Sequence, residues 1–198
     1  MKALLRTVLA LSITAALAAP ALAADIQERT IKFPSASNKG HPQVLGVEKF
    51  AELVKQKSGG KITVKSFPGG ALGPDLQVVS ALQGGTVEMN VMNASLLAGN
   101  VKEMALFDLP FLFANEKEAD QVLDGAFGKH ISDKLPAVGL VNLAWWENGF
   151  RNVTTNTKPI VKPEDLAGMK LRVPQGKWRV KMFQAYGANP SPMALSEV

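Results

Sequence analysis

The chain has 198 residues, a formal net charge of +5 at neutral pH, two histidines and no cysteine. The lack of cysteine excludes disulfides, thiol nucleophiles and cysteine-ligated metals. Lysine and arginine are dispersed, without the one-sided clustering that a nucleic-acid interface needs. The composition therefore predicts no nucleic-acid partner, and at most a bias toward acidic ligands.

The first 23 residues have the order of a secretory signal peptide. Lys2 and Arg6 supply a charged start, residues 8–19 are apolar, and small residues suit a cleavage site after Ala23. Cleavage after Ala24 is the alternative. The sequence therefore predicts export to the periplasm, with a net charge of +3 once Lys2 and Arg6 are removed.

Strand and helix patterns alternate after this leader. The predicted elements are a strand over 29–33, a helix over 42–57, a strand over 61–67, a helix over 75–83 and a strand over 87–92. This order predicts an α/β unit with a parallel sheet flanked by helices. Ligands of such sheets bind beyond the carboxyl ends of the strands, here the loops 34–41, 68–75 and 93–97.

The next segment, 107–113, is apolar, contains Pro110, and predicts a buried crossing segment. Further predicted elements are helices over 116–124 and 127–135, strands over 140–146, 150–155 and 169–173, a helix over 177–186, and a helical turn at the end of the chain. These patterns predict a first α/β lobe over 24–138. A hinge strand and a partial second lobe follow over 139–198.

No catalytic motif is present. The sequence has neither a Gly-x-Ser-x-Gly elbow nor a His-Glu-x-x-His helix, and it predicts no enzyme, no cofactor and no metal site. His130 is predicted on a helix surface. His41 begins a helix on the ligand side of the sheet, where it is either a ligand contact or a solvent-exposed residue.

Two arginines are candidates for binding an anion. Arg151 follows a turn, and Arg172 lies in a short strand on the face opposite its two apolar neighbours. A planar guanidinium binds a carboxylate through two parallel N–H groups. Arg172 could equally pair with an internal acid, Asp165 or Glu164. A buried charge needs a partner, which can be a ligand carboxylate or a carboxylate of the chain.

Two adjacent tryptophans, Trp145 and Trp146, precede the first of these arginines. Neighbours on a strand face opposite ways, so one ring is predicted in the core and the other, Trp146, at a cleft. The alternative is that both rings pack in the core or at an interface.

Several of these segments, in this order, are similar to those of a known protein family. They are Phe67–Gly73, Leu109–Phe113, Asn148–Asn156, Pro163–Pro174 and Gly187–Val198. The chain resembles the N-terminal part of a periplasmic solute-binding protein of the tripartite ATP-independent periplasmic (TRAP) transporters. Within that family it is similar to the C4-dicarboxylate-binding group.

The resemblance implies a two-lobe, type II-like periplasmic binding fold, with the second lobe incomplete here. Such receptors close on a small carboxylate-bearing solute and deliver it to membrane permease subunits. In the family the arginine of the Lys-Leu-Arg-Val-Pro segment, here Arg172, clamps the carboxylate. The arginine of the Gly-Phe-Arg segment, here Arg151, also lines the site, and the polar residue after the third strand corresponds to Asn93.

One departure bears on the ligand. Pro74 stands where sialic-acid-binding members tend to have an acid, which argues against sialic acid. Dicarboxylates, keto acids and sugar acids remain open, and Trp146 suits a sugar acid.

Family members continue past Val198 into a further asparagine contact and a long helix that braces both lobes. We therefore expect the 198-residue chain to bind its ligand weakly. Three interpretations remain: a transport receptor, a ligand-sensing module of the same fold for a signalling receptor, and a truncated fragment without function. An enzyme acting on organic acids is disfavoured, because no placed acid/base pair is recognisable.

Overall fold

The computed structural model describes residues 26–198, so the predicted signal peptide lies outside the described residues. The strands are β1 (Arg29–Pro34), β2 (Ile62–Phe67), β3 (Lys170–Val173) and β4 (Asn189–Pro192). The α-helices are α1 (Pro42–Lys57), α2 (Asp75–Gln83), α3 (Glu116–Leu123), α4 (Ala126–Ser132) and α5 (Lys177–Ala185). Short 3₁₀ helices span Ala94–Gly99, Lys102–Asp108, Leu135–Val138, Pro163–Leu166 and Leu195–Glu197. Among residues 26–198, no helix has the length and apolar character of a membrane span.

The N-terminal sheet consists of β1 and β2, which pair in parallel with Arg29 opposite Ile62. Parallel neighbours require a crossover, and α1 supplies it. Helix α1 packs Val47 against Phe33 of β1, and its Phe50 meets Phe33 edge-on with ring centroids 5.9 Å apart. The predicted strand–helix–strand–helix order is confirmed. The predicted bounds of both helices agree with the structure, and those of both strands agree within one residue.

A second core forms where the chain leaves this sheet. The residues Val101, Met104, Ile131 and Leu135 are buried together there. Partly buried aromatic rings close the cluster, with the ring of Phe107 5.5 Å from that of Trp145. This core is built from short 3₁₀ helices and α4, so it owes its stability to side-chain packing rather than to long regular elements.

The C-terminal sheet repeats the same parallel arrangement. Strands β3 and β4 pair in parallel, with Lys170 opposite Asn189 and Val173 opposite Pro192, and α5 connects them. Val173 is fully buried and anchors β3. The α/β fold class is thus confirmed. The boundary at residues 138 and 139 stays a prediction.

Three predicted strands are wrong. Residues 87–92, 140–146 and 150–155 form neither helix nor strand. In the first of them the N–H of Met89 donates to the carbonyl of Lys32 over 3.3 Å, but no continuous ladder forms. Along the second, Val141 and Leu143 are each 71% exposed. The alternation of side chains predicts an extended backbone, whereas a strand also requires a neighbouring strand to hydrogen-bond.

The predicted buried crossing at 107–113 is also wrong. Asp108 is buried, but Leu109 and Leu112 are exposed and Phe111 is 94% exposed. Phe111 has a φ of 56°, a conformation that a bulky residue rarely adopts. The chain turns there directly after Pro110, so only the first part of the apolar run reaches the core.

Truncation of Met104 tests the second core. Met104 is 1% exposed, so Met104→Ala removes buried apolar contacts and leaves a cavity. We expect the free energy of unfolding to fall by about 2–5 kcal/mol, measured by urea denaturation followed by circular dichroism. The matched control is Leu76→Ala on α2, where Leu76 is 44% exposed. Equal losses in the two variants would contradict this assignment of the core.

Candidate functional site

A polar cavity lies between the N-terminal and C-terminal sheets. We call it the arginine pocket, defined by Ser37, Asp75, Asn93, Arg151 and Arg172. Its volume is about 70 Å³. That is several times the roughly 10–15 Å³ that one water needs, so the polar end of a small ligand fits.

Loops at the carboxyl ends of the N-terminal strands form one wall of the pocket. Ser37 follows β1, Asp75 begins α2 after β2, and Asn93 follows the extended segment at 87–92. Parallel strands place all their carboxyl ends at one edge of the sheet, which explains why residues so distant in sequence meet. This wall lies where the sequence predicted the ligand loops.

The turn at Gly69 and Gly70 ties these loops together. Its backbone N–H groups donate to the carbonyls of Ser37 over 2.8 Å and of Ser35 over 3.0 Å. Both glycines have φ near +70°, a conformation that favours residues without a Cβ atom. A Cβ atom on Gly70 would stand 2.8 Å from the Cβ of Ser196, so this turn also lets the last turn of the described chain approach the pocket.

Arg172 of β3 stands on the opposite wall. Its Nε and Nη2 both donate to the carbonyl oxygen of Met193, over 3.1 and 2.7 Å. The structure therefore supports neither of the predicted internal partners. The carboxylate of Asp165 instead accepts the backbone N–H groups of Val161 and Lys162, which lower the pKa of that carboxyl. The other Nη edge of Arg172, with two roughly parallel N–H donors, has no partner in the described chain and remains available.

Arg151 reaches the same pocket from the segment between the sheets. Its Nη2 donates to Oδ1 of Asn93 over 3.1 Å, which orients the guanidinium. Arg151 is exposed as a residue, but partial desolvation of its guanidinium, together with the nearby charges of Arg179 and Arg172, lowers its pKa to about 10. The group still carries its full charge at neutral pH. A site that crowds positive charge in this way favours an anion.

A third arginine lies behind the pocket and was missed by the sequence analysis. Arg179 of α5 is 6% exposed and pairs with Asp108, which is 7% exposed. Its Nε and Nη2 both donate to Oδ1 of Asp108, 71 residues away in the chain. The isolated acid in the apolar run 107–113 was the available signal, because a buried carboxylate requires a partner.

The structure brings together three of the five predicted site residues. Arg172, Arg151 and Asn93 line the arginine pocket, whereas His41 and Trp146 lie in a separate open groove beside α1. His41 caps α1, with its Nδ1 accepting the N–H of Gln43 over 3.2 Å. Its position thus fits the structural alternative, that of a solvent-exposed residue at a helix start.

The two tryptophans pack in different places. Trp145 packs against Phe107 in the second core, whereas Trp146 lies over Gly46 and near Phe33, with ring centroids 6.5 Å apart. Trp146 is 41% exposed. The predicted division of the pair, one ring inward and one at a cleft, describes their packing, but that cleft is not the arginine pocket.

The sequence analysis also missed Asp75, a carboxylate on the pocket wall. Burial raises its pKa. Uncharged polar groups line part of the same space, among them Gln43 and Gln175. Within residues 26–198, no group of three His, Cys, Asp or Glu side chains is arranged to hold a metal ion.

Residues 33–198 match the family model described as bacterial extracellular solute-binding protein, family 7. A curated relative is the C4-dicarboxylate-binding periplasmic protein DctP of Rhodobacter capsulatus. It is 35% identical over 190 residues, which cover 96% of this chain and 56% of the relative.

Solved structures are also similar. The sugar acid binding protein DctPAm from Advenella mimigardefordensis, in complex with galactonate, has a TM-score of 0.85 and 45% identity, over 88% of this chain and 56% of that protein. A TRAP periplasmic solute-binding protein from Ochrobactrum anthropi, with its C-terminus bound in the ligand-binding pocket, has a TM-score of 0.76 and 54% identity, over 87% of this chain and 54% of that protein. The chain therefore spans a little over half the length of these relatives.

The buried ion pair behind the pocket is tested by a double-mutant cycle. Asp108→Asn leaves Arg179 buried without a counter-charge, so we expect the free energy of unfolding to fall by about 3–5 kcal/mol. Combining it with Arg179→Met removes the stranded charge and should recover most of this loss. Urea denaturation followed by circular dichroism measures both.

The control is Asp133→Asn, which breaks the exposed pair with Lys129 and should change stability far less. If the double variant is no more stable than Asp108→Asn alone, Asp108 does not stabilise the fold by compensating the buried charge of Arg179.

Proposed function

This chain belongs to family 7 of the bacterial extracellular solute-binding proteins, and on that premise we propose that its arginine pocket captures the carboxylate of a small organic acid. The convergence of Arg151 and Arg172 on one cavity carries the proposal. The two guanidiniums come from different segments, and neither is neutralised by a carboxylate of the described chain. Two positive charges without an acidic partner that face one cavity favour an anion there.

The hydrogen bonds already present decide how the carboxylate is held. The side of Arg172 that carries Nε is occupied by Met193, so the ligand carboxylate meets the free edge formed by its two Nη groups. Arg151, held by Asn93, supplies a second positive charge. Both arginines are therefore oriented before the ligand arrives, which reduces the entropy lost on binding.

Lobe closure completes the proposed mechanism. One pocket wall comes from the loops of the N-terminal sheet and the other from the C-terminal sheet, so movement of the two sheets toward each other encloses the carboxylate. Closure excludes water, and the lower local dielectric strengthens the pairing with Arg151 and Arg172. Binding without turnover is the proposed activity.

The names of the relatives support the carboxylate as the shared element. One binds C4-dicarboxylates and another holds galactonate, and these ligands have a carboxylate in common. We propose delivery of the captured acid to the membrane permease subunits of a TRAP transporter, after export directed by residues 1–23.

Replacement of Arg172 by lysine tests the clamp. Arg172→Lys keeps the charge but loses the planar pair of donors and the two hydrogen bonds to Met193. We expect affinity for D-galactonate or succinate, whichever binds the unaltered protein, to fall roughly 10- to 100-fold. Amide chemical-shift titration by NMR measures dissociation constants from the micromolar to the millimolar range. The control is Arg29→Lys on β1, outside the pocket, and an Arg172→Lys affinity equal to that of this control would rule out the clamp.

Expression in a Gram-negative host tests export. We expect the protein to be recovered in the periplasmic fraction with residue 24 as its N-terminus, because the charged start, apolar stretch and small residues direct export and cleavage after Ala23. Subcellular fractionation and intact-mass spectrometry measure both. Retention in the cytoplasm with residues 1–23 still attached would contradict the prediction, and a mass that corresponds to a start at residue 25 would move the cleavage site to Ala24.

A further inference from the structure

A carboxylate lines the arginine pocket without a partner of its own. Asp75 stands at the start of α2 on the wall opposite Arg172, and it is half-buried. Within residues 26–198, neither a hydrogen-bond donor nor a basic side chain pairs with its carboxylate. The other acid near the three arginines, Asp108, is ion-paired with Arg179 through its Oδ1. Asp75 is therefore the carboxylate left free to meet a ligand.

Burial without a partner is unfavourable for a carboxylate. The loss of hydration raises the pKa of Asp75, because no donor in the described chain replaces the lost water. A ligand hydroxyl donating to Asp75 would compensate that loss. A ligand carboxylate in the same position would add like charge to a partly buried acid and would be disfavoured.

The charges of the pocket also favour a ligand that carries one carboxylate. Asp108 neutralises Arg179, while Arg151 and Arg172 have no acidic partner in the described chain. With Asp75 ionised, these two arginines and this acid leave one positive charge, which a single ligand carboxylate balances. The remaining lining is largely apolar but includes a few uncharged hydrogen-bonding groups. The hydroxyl of Ser37 donates to Oε1 of Gln43 over 2.7 Å, which leaves the Gln43 amide N–H groups as donors.

We propose that Asp75 makes this pocket selective for hydroxylated monocarboxylates, of the aldonic or uronic acid class, over dicarboxylates. This inference rests on the proposed function, since it assumes that Arg151 and Arg172 hold one carboxylate of the ligand. Asp75 then lies on the opposite wall, where it accepts a hydrogen bond from a hydroxyl farther along the ligand. A dicarboxylate brings its second negative charge toward the same acid.

The probes are D-galactonate, which has one carboxylate and several hydroxyls, and succinate, which has two carboxylates and no hydroxyl. NMR titration of the unaltered protein should give an affinity for D-galactonate at least about tenfold above that for succinate. Asp75→Asn keeps the size of the side chain and removes its charge. We expect this variant to bind D-galactonate about tenfold more weakly and to bind succinate with unchanged or higher affinity.

The matched control is Asp124→Asn, the same chemical change at an exposed helix end, which should leave both affinities unchanged. If Asp75→Asn lacks the dispersed amide spectrum of a folded protein, Asp75→Ser removes the same charge and gives the same test. A preference for succinate in the unaltered protein overturns the selectivity proposal, as does a galactonate-to-succinate ratio that survives the loss of Asp75. Binding of neither acid by a folded protein overturns the proposed function itself, and the selectivity proposal with it.

Discussion

The buried ion pair of Asp108 and Arg179 is the contact on which the binding site depends. It joins the end of the 3₁₀ helix Lys102–Asp108 to α5 of the C-terminal sheet, across 71 residues of sequence. Without Asp108, three guanidiniums would repel one another around the pocket. Removing one partner of a buried pair is costly, so this contact both holds the two walls together and limits the net positive charge between them.

The arginine pocket combines parallel strand ends with residues that are already oriented. The carboxyl ends of β1 and β2 supply polar loops, and β3 supplies Arg172 from the facing wall. Hydrogen bonds from Asn93 and Met193 hold the two free arginines in place. The arginines can therefore bind one carboxylate, while the groups on the opposite wall determine which ligands are accepted.

Local sequence signals predicted much of the fold. They did not predict which distant segments pair with each other as strands. Helix α1 begins at a capping His41 and ends before paired glycines, so its bounds were readable from the sequence. The segment 140–146 has an equally clear alternation but forms no strand, because no neighbouring backbone pairs with it. Of the site, Arg151, Arg172 and Asn93 were placed together by resemblance to a family, whereas Trp146 lies in a different groove.

The sequence by itself determined the α-helices, the strands β1 to β3, the α/β class and two arginines suited to a carboxylate, because capping, periodicity and side-chain chemistry act over a few residues. Only the tertiary structure decided which charges remain free. In the structure Arg179 pairs with Asp108, one side of the Arg172 guanidinium donates to the carbonyl of Met193, and Asp75 has no partner in the described chain. Charge balance depends on distances between residues far apart in the chain, and no local pattern encodes those distances.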